Sequence, residues 1–126
     1  IKKEKLKKPV ILISGGESTV KIKGNGKGGR NQEFALHFIK YANKYLPKLE
    51  FTLLSVGTDG RDGPTNAAGA IVNHKSLSFI NKSTCFKLEN ELNNNNSYEV
   101  LKKVDSLVII KGTNTNVADV QILIIN

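Results

Sequence analysis

From Val10 to Ile13 four apolar residues run without a break, the pattern of a strand covered on both faces; Pro9 introduces the run and Gly15-Gly16 ends it. Thr19-Val20-Lys21-Ile22-Lys23 then alternates polar and apolar, which predicts a half-exposed strand with its lysines in water, halted at Gly24-Asn25-Gly26. After Asn31 the period changes. Phe34, Ala35, Phe38, Ile39, Ala42, Tyr45 and Leu46 recur at three- and four-residue steps, predicting an amphipathic helix that Pro47 stops. Phe51 to Val56 reads as a second inner strand, which delivers the chain into the polar loop Gly57-Thr58-Asp59-Gly60-Arg61-Asp62-Gly63-Pro64. Ala67 to Val72 is small and apolar and must pack closely, as either strand or helix. Leu77–Ile80 and Tyr98–Val104 have the look of short helices, and Asn93–Asn96 between them has the composition of a low-complexity loop. Leu107–Ile110 and Val120–Ile125 are the last two strands, joined by the polar stretch from Lys111 to Asp119. Alternating strands and helices predict an α/β fold: one domain, from residue 9 to 126, with a mixed sheet and helices packed on it.

Composition narrows the function. With 39% hydrophobic and 24% charged residues and 3 prolines in 126, the chain has the mix of a globular domain of ordinary size. Half of the net charge of +8 sits in a basic tail, residues 1–8, where five lysines face one Glu4. The only arginines are Arg30 and Arg61 and just eight residues are aromatic, so the forks and stacking platforms that read nucleic acids are missing, and no nucleic-acid partner is expected. A lone Cys85 leaves no internal disulfide and no multi-cysteine zinc site, which fits a reducing compartment, the cytoplasm first and an organelle as the alternative. The apolar runs are strand-length, far short of the ~20 residues of a membrane span, so no membrane partner is expected either. The chain opens on Ile1 and holds no Met, from which a segment of a longer polypeptide is expected.

Three loops carry candidate chemistry. Gly24-Asn25-Gly26-Lys27-Gly28-Gly29-Arg30-Asn31-Gln32-Glu33 runs straight into the strong helix, where unpaired N–H groups, the helix dipole and the Arg30 fork favour an anion. It is not a phosphate loop of the G-x-x-x-x-G-K-[ST] kind, since Arg30 and Asn31 follow Gly29. Its G-x-G-x-x-G match is accidental, because the preceding strand alternates lysines where a dinucleotide fold has an inner apolar strand. In the second loop Asp59 and Asp62 follow an inner strand, flanked by Thr58 and Thr65. Two such carboxylates can hold Mg²⁺, orient a hydroxyl or act as a base, or else cap their own turn. The third, Thr113-Asn114-Thr115-Asn116, offers neutral donors and acceptors, or a capped turn. Glu17, directly after the first glycine pair, is within reach of the same cleft. His37 and His74 have no partner pattern and are read as packing or surface residues.

Ser14-Gly15-Gly16-Glu17, Gly28 through Leu36, Gly57 through Thr65 with Ala67-Ala68-Gly69-Ala70, and Thr115-Asn116-Val117 with Asp119 together resemble the MOFRL family, in order and across nearly the whole chain. That family forms the C-terminal domain of two-domain glycerate kinases, some of which are labelled hydroxypyruvate reductases. The resemblance implies ATP- and Mg²⁺-dependent phosphorylation of glycerate in a cleft between this domain and a larger Rossmann-like N-terminal domain, which would hold most of the nucleotide. It implies that Arg30 binds glycerate or the transferring phosphate and that Asp59 and Asp62 line the same cleft, catalytic residues that would hold Mg²⁺ or position a hydroxyl. Gly28, Gly29, Arg30, Asn31, Gln32, Glu33, Thr58, Thr115 and Asn116 would bind substrate or phosphate, and Glu17 would face the cofactor. The isolated domain is then expected to be inactive, and a homodimer is left open. Asn94-Asn95-Asn96-Ser97-Tyr98 matches an ordered segment of the family, so the asparagine run is expected to be structured. Asn66 stands where the family commonly has aspartate, and Lys111-Gly112-Thr113-Asn114 departs from the family's Gly-Pro-Thr-Gly. A non-catalytic module for anionic metabolites and a hydroxypyruvate reductase are the alternatives.

Overall fold

The computed structural model describes residues 7–83 and 85–126, so most of the basic tail lies outside the described residues. Five strands form one sheet: β1 (Val10–Gly16), β2 (Phe51–Gly57), β3 (Gly69–Asn73), β4 (Leu107–Val108) and β5 (Asp119–Ile125). Four helices accompany it: α1 (Arg30–Tyr45), α2 (Ser76–Ser83), α3 (Leu88–Asn93) and α4 (Ser97–Lys103). The strand order is β1-β5-β2-β3-β4, and every neighbouring pair is antiparallel. The α/β class is as read from the sequence, but the sheet is not mixed. β1 and β2 do run the same way, joined by α1, and would have made the parallel pair; β5 inserts between them, antiparallel to both.

α1 forms where the three- and four-residue spacing placed it. Its buried stripe, Ala35, Leu36, Ile39 and Ala42, lies across β2 and β3, Glu33 and Lys44 suit the two ends of the helix dipole, and Pro47 follows its cap. Phe34, Tyr45 and Leu46, apolar in the pattern, remain exposed. Phe51 and Leu53 of β2, Ala70 and Val72 of β3, Ile80 of α2 and Val100 and Leu101 of α4 complete the core against α1.

Register separates the two faces of the sheet. Phe51, Leu53 and Ser55 of β2 turn to the helices and are buried, whereas Thr52, Leu54 and Val56 turn away. Their cross-strand partners share that second face: Asn73, Ile71 and Gly69 on β3, Ile124, Ile122 and Val120 on β5, and beyond them Ile11, Ile13 and Gly15 on β1. β1 is therefore an edge strand, with Ile11, Leu12 and Ile13 exposed, where its apolar run predicted a strand covered on both faces. Thr19–Lys23 joins no strand ladder, since its backbone is taken by a side chain instead. Asn95 Oδ1 accepts the Lys23 and Gly24 N–H groups at 2.7 and 3.1 Å, and its Nδ2 donates to the Lys21 carbonyl. β4 keeps only two residues of the apolar run from Leu107 to Ile110.

Candidate active site

Gly16, Asp119 and Gly57 face one another across β1, β5 and β2, so the chain leaving β1, the chain leaving β2 and the chain entering β5 meet at one end of the sheet. α1 begins at that same end, tied down by Asp119. This fully buried carboxylate accepts Arg30 Nε–H at 2.7 Å and Nη2–H at 3.0 Å, a bidentate fork, and Asn31 Nδ2–H at 3.0 Å. Asn31 is itself buried, and its Oδ1 accepts the Ser55 hydroxyl at 2.7 Å. A buried charge so fully bonded is tolerated where a half-bonded one would not be. The Asp119 hydrogen bond raises the Arg30 pKa above its already high ordinary value, against the opposing effect of burial, with Glu17 and Asp62 adding further attraction. The remaining nitrogen, Nη1, points outward to Glu17 Oε1 at 3.1 Å, on a side chain 62% exposed.

The helix N-terminus does hold an anion, but one that belongs to the chain. Asp62 Oδ1 accepts the Asn31 N–H at 3.0 Å and Oδ2 accepts the Gln32 N–H at 2.9 Å, two first-turn donors without acceptors inside the helix. The acceptor comes from a loop some thirty residues further along, and close backbone approach makes this fit possible. A Cβ on Gly29 would stand 2.3 Å from Asp62 Cγ, and Gly63, at φ +60°, lies against the Gly28 carbonyl. Gln32 Nε2 donates to Thr65 Oγ1 at 2.9 Å, and the Thr65 hydroxyl donates to the Asp62 carbonyl at 2.8 Å. Burial pushes the Asp62 carboxyl above its ordinary pKa, while the N–H bonds from Asn31 and Gln32 pull it back.

Asp62 is 2% exposed and both of its oxygens accept N–H groups of α1, so in this structure it caps the helix and is turned away from Asp59 and the surface. Asn31 and Gln32 are completely buried with their N–H groups committed to Asp62, so they do not offer them to substrate phosphate. Gly28 and Gly29 serve close packing, Gly28 against Ser97 and Gly29 against Asp62. Glu33 Oε2 accepts Asn95 Nδ2–H at 3.0 Å, which connects α1 to the asparagine run.

That run is ordered, as the resemblance implied. Asn94 Oδ1 accepts Asn25 N–H at 3.0 Å, Asn96 Oδ1 accepts Lys27 N–H at 3.3 Å, and the Gly26 N–H donates to the Asn94 carbonyl at 2.8 Å. With Asn95 these side chains set the shape of the glycine-rich loop. Asn66 Oδ1 accepts the Tyr98 hydroxyl at 2.7 Å, a bond that an aspartate there would accept equally.

The outer part of the site is a groove lined by Asp59, Arg61, Thr115 and Asn116. Thr58 underlies it. Its hydroxyl donates to the Ala118 carbonyl at 2.8 Å and accepts the Val117 N–H at 2.8 Å, and Thr113 Oγ1 donates to the Thr58 carbonyl, so the altered Lys111–Asn114 segment is tied to the β2 loop. Asp59 Oδ1 accepts the Arg61 N–H at 2.9 Å. The residues singled out in the sequence thus gather at one end of the sheet: Glu17, Arg30, Asp59, Thr115 and Asn116 come to its surface, and Asn31, Gln32, Thr58 and Asp62 build its support. Asp119 was noticed only through the resemblance. Its signal was available, a single charge at the start of a strand that is apolar apart from Gln121. Ser55 and Thr65 gave none.

An antiparallel sheet backed by helices, with a buried carboxylate fixing an arginine at one end of it, defines an α/β domain. The chain belongs to the MOFRL family, whose model matches residues 10–119. It is 49% identical over 115 residues to a D-glycerate 2-kinase of Thermotoga maritima, covering 90% of this chain and 26% of that protein. It is 41% identical over 126 residues to a glycerate kinase of Mus musculus, covering 97% and 24%. A crystal structure of a glycerate kinase from Thermotoga maritima superposes with a TM-score of 0.88 at 45% identity, over 99% of this chain and 29% of that one. The chain therefore spans about a quarter of the length of the curated relatives it matches, corresponding to their C-terminal domain. Among the described residues no helix is long and apolar enough to cross a membrane.

Proposed function

We propose that in its full-length protein this domain forms one wall of a cleft in which ATP phosphorylates D-glycerate, at the 2-hydroxyl as the name of the Thermotoga relative implies. The observation that carries this reading is Arg30, fixed by a buried bidentate carboxylate at the sheet end that also holds Asp59 and the Thr115-Asn116 loop. A guanidinium held in place beforehand stabilises charge developing on a transferring phosphoryl group without reorganising. Its outward Nη1, now on Glu17, is the donor that a glycerate carboxylate or phosphoryl oxygen would take.

Mg²⁺ fits only in part, because no group of three or more metal-ligating side chains occurs among the described residues and Asp62 is already committed. Asp59 could supply one carboxylate ligand, as suits a cation that takes one or two carboxylates and completes its shell with phosphates and water. When bound, Mg²⁺ would neutralise charge on the nucleotide phosphates. The nucleotide itself is assigned to the larger N-terminal part of the polypeptide. A cytoplasmic setting accords with the single free, exposed Cys85.

ADP release by the full-length protein with ATP, Mg²⁺ and D-glycerate tests the proposal, with Arg30→Ala beside it. Loss of one such donor should lower kcat/KM by about 10²–10³-fold, or ~3–4 kcal/mol of transition-state stabilisation. Release that is independent of glycerate, or unchanged in the variant, would overturn it. With hydroxypyruvate, no NADH consumption is expected.

A further inference from the structure

The sheet face turned away from the helices is apolar from one edge nearly to the other. Ile11 and Ile13 on β1, Ile122 and Ile124 on β5, Leu54 on β2 and Ile71 on β3 lie on it in register, and no charged residue of those strands points that way. Ile11 is 60%, Ile13 72% and Ile71 45% exposed. An antiparallel sheet that meets water on one face alternates apolar-in with polar-out. β1 and β5 instead carry isoleucine or leucine on both faces, the composition of strands covered on both sides. Monomeric proteins rarely leave an apolar patch of this extent in contact with solvent.

We propose that this open face, with the free edge of β1, is the surface on which the rest of the same polypeptide docks in the full-length protein. Two observations select that occupant. The relatives extend far beyond the matched part, which is 26% of the Thermotoga protein and corresponds to their C-terminal domain, so a much larger body of the same polypeptide is at hand to cover this face. The face also lacks charge, the character of a permanent packing surface and not of a transient contact, whose area is as polar as the general surface. The docked chain would then reach the sheet end bearing Gly16, Asp119 and Gly57, and the site would lie at the rim of the interface. The surface assignment depends on the proposed kinase only for that last point.

The test uses the full-length protein with Cys85→Ser and one new cysteine at a time: Ile13→Cys or Leu54→Cys on the face, and Lys48→Cys as an exposed control. Thiol labelling is followed by mass spectrometry of the individual peptides. Labelling at residues 13 and 54 should be at least ~tenfold slower than at residue 48 and independent of protein dilution. Equal rates would overturn the proposal. Slow labelling that speeds up on dilution would also overturn it, in favour of a second copy on this face. Hydroxyl-radical footprinting of the unsubstituted protein, comparing Ile13 and Ile71 with the exposed Tyr45 on the helix side, gives the same reading without any change to the fold, and none of these outcomes depends on kinase activity.

Discussion

Asp119 and Asp62 lie near each other and do different work. Asp119 fixes the arginine in space; Asp62 closes the backbone at the start of its helix. Asp119→Asn removes one partner of a pair that is buried on one side only. It should cost about 2–3 kcal/mol, between values for exposed and buried pairs, measurable by urea denaturation, and it should lower kcat/KM while Asn31 keeps α1 in place. Asp62→Ala leaves two helix N–H groups without acceptors, and roughly 2–4 kcal/mol of stability should be lost. Because burial raises the folded pKa of Asp62, the folded form keeps its proton at a pH where the unfolded chain, near 3.8, has lost it. The stability of the protein relative to Asp62→Asn should therefore fall as pH rises through the acid range just above 3.8, and level off beyond it. Asn66→Asp should change stability by less than ~0.5 kcal/mol, since either side chain accepts the Tyr98 hydroxyl. The sequence displayed Arg30 and both loop aspartates, but not which would face outward. That was decided by the 31-residue separation between Asp62 and Asn31, which no local pattern encodes.

The glycine-rich loop and the asparagine run define each other. Asn95 sits at φ +55°, a conformation that asparagine tolerates better than most residues, and its side chain carries four hydrogen bonds to Lys21, Lys23, Gly24 and Glu33. Asn95→Gly keeps the backbone angle and deletes those bonds. Amide exchange in residues 21–27 should then quicken by about tenfold or more while α1 stays protected. Legibility differs between elements for the same reason. α1 was readable because its period is local and its stop is a proline. Thr19–Lys23 alternates as a strand does, yet found no neighbouring strand, because Asn95 satisfies its backbone. β1 was read as an inner strand, and Val10 to Ile13 are indeed apolar on both faces, but the described residues leave Ile11, Leu12 and Ile13 exposed.

At the scale of the molecule, one row of the sheet gathers three strand ends and a helix start, and the long apolar strands leave the opposite face bare. The class of the fold could be read from the alternation of elements. The all-antiparallel order could not, because it depends on the last strand sliding between the first two. The isolated domain, residues 9–126, holds only part of the proposed cleft, and ADP release from it should not rise above background. Full activity from the fragment would contradict a cleft shared with the rest of the polypeptide.

The Glu17–Arg30 contact has its own consequence for how anions arrive. The outward edge of the guanidinium is occupied in this structure by an exposed carboxylate, Glu17. In the proposed site an incoming anion would bind by exchange with Glu17, and its affinity would be the difference between two similar contacts. Stray chloride or bicarbonate gains little from such a trade, whereas a ligand that also reaches the Asp59 groove gains from the second contact. Salt weakens the resident and the incoming partner together. Glu17→Gln should tighten simple anions at this position and make their binding more sensitive to ionic strength, converting a selective gate into a plain cationic trap.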